Sequence, residues 1–179
     1  MKYKILTSIF LFVIAGLTFA QDDTKYLQGK IIQGPYNTSV VEGRGELSVL
    51  ETGDKNFPLS LVLDVSNAEG GRIRELVDKY DIAGSDPTVE SIFFYPVKNK
   101  KHVFLLVSWE LTSRGIGTYG TLYQVYAYER NKNNKLVPDK TITSDKQMSG
   151  IEGYQEGQEQ HFGYKNAESI KAYIKNNIK

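Results

Sequence analysis

The sequence predicts an α+β domain, a mostly antiparallel curved sheet of about six to seven strands with two packed helices, roughly 70–80 and 166–178. Three observations predict it. Several runs alternate apolar and polar residues with period two, as half-buried strands do. Two other segments repeat apolar residues at i, i+3, i+4 and i+7, the face of an amphipathic helix. The connections are short and turn-rich, so strands that follow one another in the chain pair as hairpins.

Taken in order, YLQGKIIQ (26–33) and GELSVLE (45–51) read as short strands separated by the turn-rich GPYNTSVVEGR. PLSLVLDVS (58–66) alternates, with Leu59, Leu61, Leu63 and Val65 on one face. GGRIRELVDKY then changes period: Ile73, Leu76, Val77 and Tyr80 predict a helix, stopped by the Gly and Pro of IAGSDP. VESIFFYPV (89–97) and HVFLLVSWEL (102–111) flank KNKK, where Asn99 suits a tight turn, and so predict a β-hairpin. Pro96 belongs near an end or an edge of its strand, because proline cannot donate to a ladder. The second is the most apolar run after residue 20 and reads as a central strand. TLYQVYAYER (121–130) is aromatic on both faces, which predicts cover on both sides. LVPDKTIT holds one more short strand. In the last helix Ile170, Tyr173, Ile174 and Ile178 share a face, with Asn166 as cap and Glu168 in the positive first turn.

Residues 1–20 read differently. Lys2 and Lys4 precede the apolar run Ile5 to Leu17, and Thr18-Phe19-Ala20 ends on a small residue. This is the pattern of a secretory signal peptide cleaved near Ala20/Gln21, leaving residues 21–179 as a single domain. Export to a bacterial periplasm is expected, with no stable membrane anchor after cleavage. The formal charge of +1 falls by two when Lys2 and Lys4 leave, so no broad attraction for nucleic acid remains. Lysines outnumber arginines 17 to 5, which also disfavours bidentate phosphate recognition. Cysteine is absent, so disulfides and thiolate metal sites are excluded.

GIGTYG (115–120) fits G-x-G-x-x-G. A dinucleotide site needs a helix after the glycines, and the aromatic TLYQVYAYE predicts a strand instead. A protein-kinase glycine loop would need a lysine on the following strand and H-R-D and D-F-G motifs, which are missing. The stretch reads as a hairpin connection whose glycines allow positive φ, and no nucleotide or other cofactor is expected.

No other motif carries chemistry. His102 reads as a surface residue beside KNKK. His161 lies near Glu156 and Glu159 in a polar stretch without the regular spacing of a metal site. No G-x-S-x-G elbow is present. Asp64, Glu110 and Glu129 lie in or near strands, and a pair of acids distant in sequence remains open as a hydrolase alternative.

Two features point to a protein partner. Arg114 and Tyr119 flank the glycine bend, and Tyr126 and Tyr128 lie on the strand after it; Tyr and Arg recur as interface anchors, and packing in the core is the other reading of these tyrosines. Residues 144–166 form a long polar stretch, a functional loop or a weak hairpin, with Glu152, Tyr154, Glu156, Glu159 and His161 as candidate contacts. Its acids suit a basic partner.

VFLLVSWE, GTYGTLYQVYAYE and HFGYKNAESIKAYIK, within 89–178, resemble the later part of small periplasmic immunity proteins that neutralise type VI secretion effectors. The resemblance implies a binding protein without catalysis that blocks a toxin's active site, and it assigns no contact residue. A periplasmic hydrolase using paired carboxylates is the alternative. So is a ligand-binding envelope protein with a cavity lined by Phe93, Phe104 and Tyr126.

Overall fold

A computed structural model describes residues 23–42, 45–67 and 69–178; the expected signal peptide lies outside them. The class is α+β and the pairing is antiparallel throughout, but the strands divide between two sheets. The first sheet has the order β1-β2-β3-β4, from β1 (Lys30–Thr38), β2 (Gly45–Glu51), β3 (Leu59–Ser66) and β4 (Arg72–Tyr80). The second follows the order β10-β9-β7-β6-β5, from β5 (Thr88–Val97), β6 (Lys100–Ser113), β7 (Thr118–Arg130), β9 (Ser149–Gln155) and β10 (Gln158–Gln160). β8 (Leu136–Pro138) also pairs with β7. The helices are the short α1 (Lys140–Thr143) and α2 (Ala167–Asn177).

Two cores explain the layering. Leu47, Val49, Leu61 and Leu63 of the first sheet pack on Val103, Leu105, Val107 and Trp109 of the second. On the other face of the second sheet, Phe104, Leu106, Val125 and Ala127 meet Ile142, Met148, Ile170 and Ile174. The second sheet is thus a middle layer, with the first sheet on one side and α2 on the other. β6 feeds alternate residues into both cores, so Val103 through Val107 are all fully buried. That is why this strand reads as a continuous apolar run instead of an alternation. Each such side chain stabilises the fold by about 1.5–3 kcal/mol relative to exposure.

Local chemistry sets the ends. Lys98 (φ 47) and Asn99 (φ 64) turn the β5–β6 hairpin with both central residues left-handed, as a tight two-residue hairpin turn requires. β5 is the edge that holds Pro96. Asn166 Oδ1 accepts the Ser169 amide hydrogen at 2.9 Å and caps α2, which buries Ile170 and Ile174. Tyr26 sits in a 3-10 turn, Asp23–Leu27, ahead of the strand that starts at Lys30; its carbonyl accepts from the Ser60 hydroxyl at 2.8 Å.

The helix expected at 70–80 is instead the edge strand β4. A register shift opposite Leu61/Val62 leaves Val77 as an extra residue, since Leu61 pairs with Asp78 and Val62 with Leu76. The bulge moves the alternation by one place, so a bulged strand spells a helical spacing. Cross-strand partners then hold the polar side: Arg74 grips Asp64 with two hydrogen bonds, 2.8 and 2.7 Å.

Candidate functional site

β6 and β7 are the longest strands, and their shared hairpin end outruns the cover of α2. The last covered row on the helix side is Ser108, Tyr123 and Gly150, where the Phe162 ring stacks on Tyr123 at 5.6 Å. Beyond it lie two open rows. One sets Glu110 beside Thr121 and Thr121 beside Glu152; the other sets Thr112 beside Tyr119, Tyr119 beside Tyr154 and Tyr154 beside Glu159.

The aromatic row is preassembled. Tyr119 and Tyr154 stack with centroids 4.9 Å apart and planes 20° from parallel. Arg114 lies over the other side of Tyr119, its guanidinium carbon 4.6 Å from the ring centroid. Arg114 stands in the 3-10 turn Arg114–Ile116, which closes at Gly117 in the left-handed region, φ 70. Ile116 at the tip is 72% exposed, the most exposed large apolar side chain among the described residues.

Two of the three glycines of GIGTYG are therefore structural. Gly117 makes the turn, and Gly120 (φ 126) faces Gly153 (φ 142) where β7 and β9 approach closely. A Cβ on Gly120 would overlap the Glu152 carbonyl oxygen, and one on Gly153 would overlap that of Tyr119. No helix follows; β7 does.

The stretch 144–166 is a hairpin added to the second sheet, preceded by a 3-10 turn that buries Met148. Glu152 ties its end together. Its carboxylate accepts the Phe162 amide hydrogen at 2.8 Å and lies 3.0 Å from Lys165 Nζ and 3.6 Å from His161 Nδ1. The amide bond first, and Lys165 next, hold Glu152 below the usual carboxylate range. Glu156 occupies the β9–β10 turn, where its amide donates to Thr118 Oγ1 at 3.2 Å. Glu159 Oε1 lies 3.8 Å from His161 Nε2.

Seven of the nine expected contact residues thus meet at one end of the molecule: Arg114, Tyr119, Glu152, Tyr154, Glu156, Glu159 and His161. The β6–β7 register adds Glu110 and Thr121, and Ile116 stands in the turn between these strands. Tyr126 and Tyr128 are not brought there. They face the first core, Tyr128 fully buried and Tyr126 edge-on to Tyr80 at 5.0 Å. Tyr128 Oη donates to Asp78 Oδ2 at 2.7 Å, and Tyr80 donates to Tyr128 at 2.8 Å. Burial raises both tyrosines well above their ordinary value.

The chain matches no family model, no curated protein and no solved structure.

His102 is buried, 2% exposed, and is not the surface residue expected. The β8–α1 connection folds over it, placing Asp139 Oδ2 at 3.1 Å from Nε2, while Nδ1 lies 3.0 Å from the Lys100 carbonyl oxygen. The three acids singled out in strands lie apart: Asp64 bonds Arg74, Glu129 bonds Lys100, and Glu110 accepts from Thr121 near the hairpin tip. Phe93 and Phe104 stack at 5.1 Å in the second core, whereas Tyr126 packs against the first, so they line no common cavity. Among the described residues, no group of three or more His, Asp or Glu is placed to hold a metal ion. No helix among them is long and apolar enough to cross a membrane.

Proposed function

We propose that this protein is an exported, periplasmic binding protein that blocks the active site of a secreted toxin or hydrolase, in the manner of an immunity protein. One observation supports this above others. The β6–β7 hairpin and the β9–β10 hairpin form a projecting end that joins an exposed Ile116 to a preformed Arg114–Tyr119–Tyr154 stack. Rigid aromatic anchors at an exposed tip bind at low entropic cost, because little side-chain freedom is left to lose. Glu110, Glu156 and Glu159 rim the stack and favour a partner with a basic cleft.

The test is protection. The chain, expressed in the periplasm of toxin-attacked cells, should restore growth, and the purified chain should inhibit that toxin stoichiometrically. Ile116→Asp with Tyr154→Ala should abolish both effects and leave the near-ultraviolet signal of the single tryptophan unchanged. Absence of protection by the unaltered chain would overturn the reading.

A further inference from the structure

The projecting end offers an uncovered sheet face with a cation already seated on it. Thr112, Tyr119 and Tyr154 form one row and Glu110, Thr121 and Glu152 the next, all on the helix side beyond Phe162. Arg114 lies over the outer face of Tyr119, 4.6 Å from the ring centroid. Among the described residues its guanidinium has no carboxylate partner: the charged contacts of Glu152 go to Lys165 and His161, and that of Glu159 to His161. Arg114 is exposed and stands in a three-residue 3-10 turn, so its side chain leaves the ring without unfolding a strand. Glu110 and Glu159 flank the stack from both neighbouring strands. Two cations, Arg114 and Lys165, face four carboxylates at this end, Glu110, Glu152, Glu156 and Glu159.

We propose that this face docks an arginine-bearing segment of the partner protein, whose guanidinium takes the place of Arg114 over Tyr119 while Glu110 and Glu159 receive its hydrogen bonds. This rests on the binding reading above and adds the chemistry of the partner. An arginine fits better than a lysine, because a planar guanidinium both stacks on an aromatic face and forms a fork to a carboxylate. Arg114 then acts as a placeholder that keeps the ring covered until the partner arrives.

The experiment uses the mature chain, labelled with nitrogen-15, and an octa-arginine peptide at physiological salt, with octa-lysine and octa-glutamate as comparisons. Octa-arginine should move the amide resonances of Glu110, Tyr119, Thr121 and Tyr154, more than octa-lysine does, and octa-glutamate should move none of them. Arg114→Ala should bind octa-arginine about two- to five-fold more tightly, the range of an exposed cation–π contact. Glu110→Gln should bind it more weakly. No localised shift, or weaker binding by Arg114→Ala, would overturn the proposal. Protection from the toxin by a chain that ignores octa-arginine would sink the arginine assignment and leave the binding reading standing. Localised octa-arginine binding without protection would do the reverse.

Discussion

Tyr128 reaches across the gap between the two sheets and donates its hydroxyl hydrogen to Asp78, Oη to Oδ2 at 2.7 Å. β7 and the edge strand β4 are thereby tied by a hydrogen-bonded relay, Tyr80 to Tyr128 to Asp78, inside an apolar core. A carboxylate drawn partly out of water is costly unless paired, and the half-buried Asp78 is paired with one phenol and the Lys79 amide.

Burial raises the Asp78 carboxyl above its ordinary value of 3.8, against the downward pull of the Tyr128 and Lys79 bonds. The folded state therefore holds this proton more tightly than the unfolded state. The contribution to stability is fully present below the unfolded value and is lost as pH rises through the folded one. Urea titrations of the unaltered chain and Asp78→Asn should diverge accordingly, the unaltered chain losing ground to the variant as pH rises above 3.8. Parallel stability curves from pH 3 to 7 would show that Asp78 titrates as it does in the unfolded chain.

His102, buried, and Asp139, half-buried, make a second polar pair. Asp139 serves twice: Oδ2 faces His102 Nε2, and Oδ1 accepts the Thr141 amide hydrogen at 2.9 Å, capping α1. Asp139→Ala should destabilise by about 2–4 kcal/mol, from a lost helix cap and a buried imidazole left without its partner. Asp139→Asn keeps an oxygen for the cap and should cost less than half as much. A calorimetric difference between Asp139→Ala and the unaltered chain within about 0.5 kcal/mol, the scale of an ordinary surface substitution, would refute the dual role.

The Gly120–Gly153 contact governs whether the β9–β10 hairpin docks. Gly120→Ala places a methyl group against the Glu152 carbonyl oxygen and strains a backbone at φ 126. Amide exchange should speed selectively in β9 and β10, while β3 and the core half of β6 remain protected. Uniform protection identical to the unaltered chain would show that β9 tolerates displacement without opening.

Much of the architecture was legible locally. GELSVLE is β2 residue for residue, KNKK turns the β5–β6 hairpin, and Asn166 caps α2. The aromatic run TLYQVYAYER does lie between two cores. These features depend on near neighbours in the chain: alternation, a left-handed asparagine, a side-chain acceptor three residues ahead of its donor. The candidate surface was legible in part. Arg114 and Tyr119 lie within a few residues of one another, but their union with Tyr154 and Glu159 requires the β7–β9–β10 register.

The misread elements share one cause. Ile73, Leu76, Val77 and Tyr80 obey a helical period because a bulge shifts a strand's phase, and a single strand does not reveal its bulge without its partner β3. Tyr126 and Tyr128 have the composition of an interface, yet a sheet distant in sequence covers them. His102 sits next to a charged turn and is buried by a connection that arrives 37 residues later. Local patterning along the chain specifies the α+β class, most strand positions and the glycine bend as a hairpin. Long-range packing sets the division of the strands into two stacked sheets and the faces that stay open, because burial depends on what packs from elsewhere in the chain.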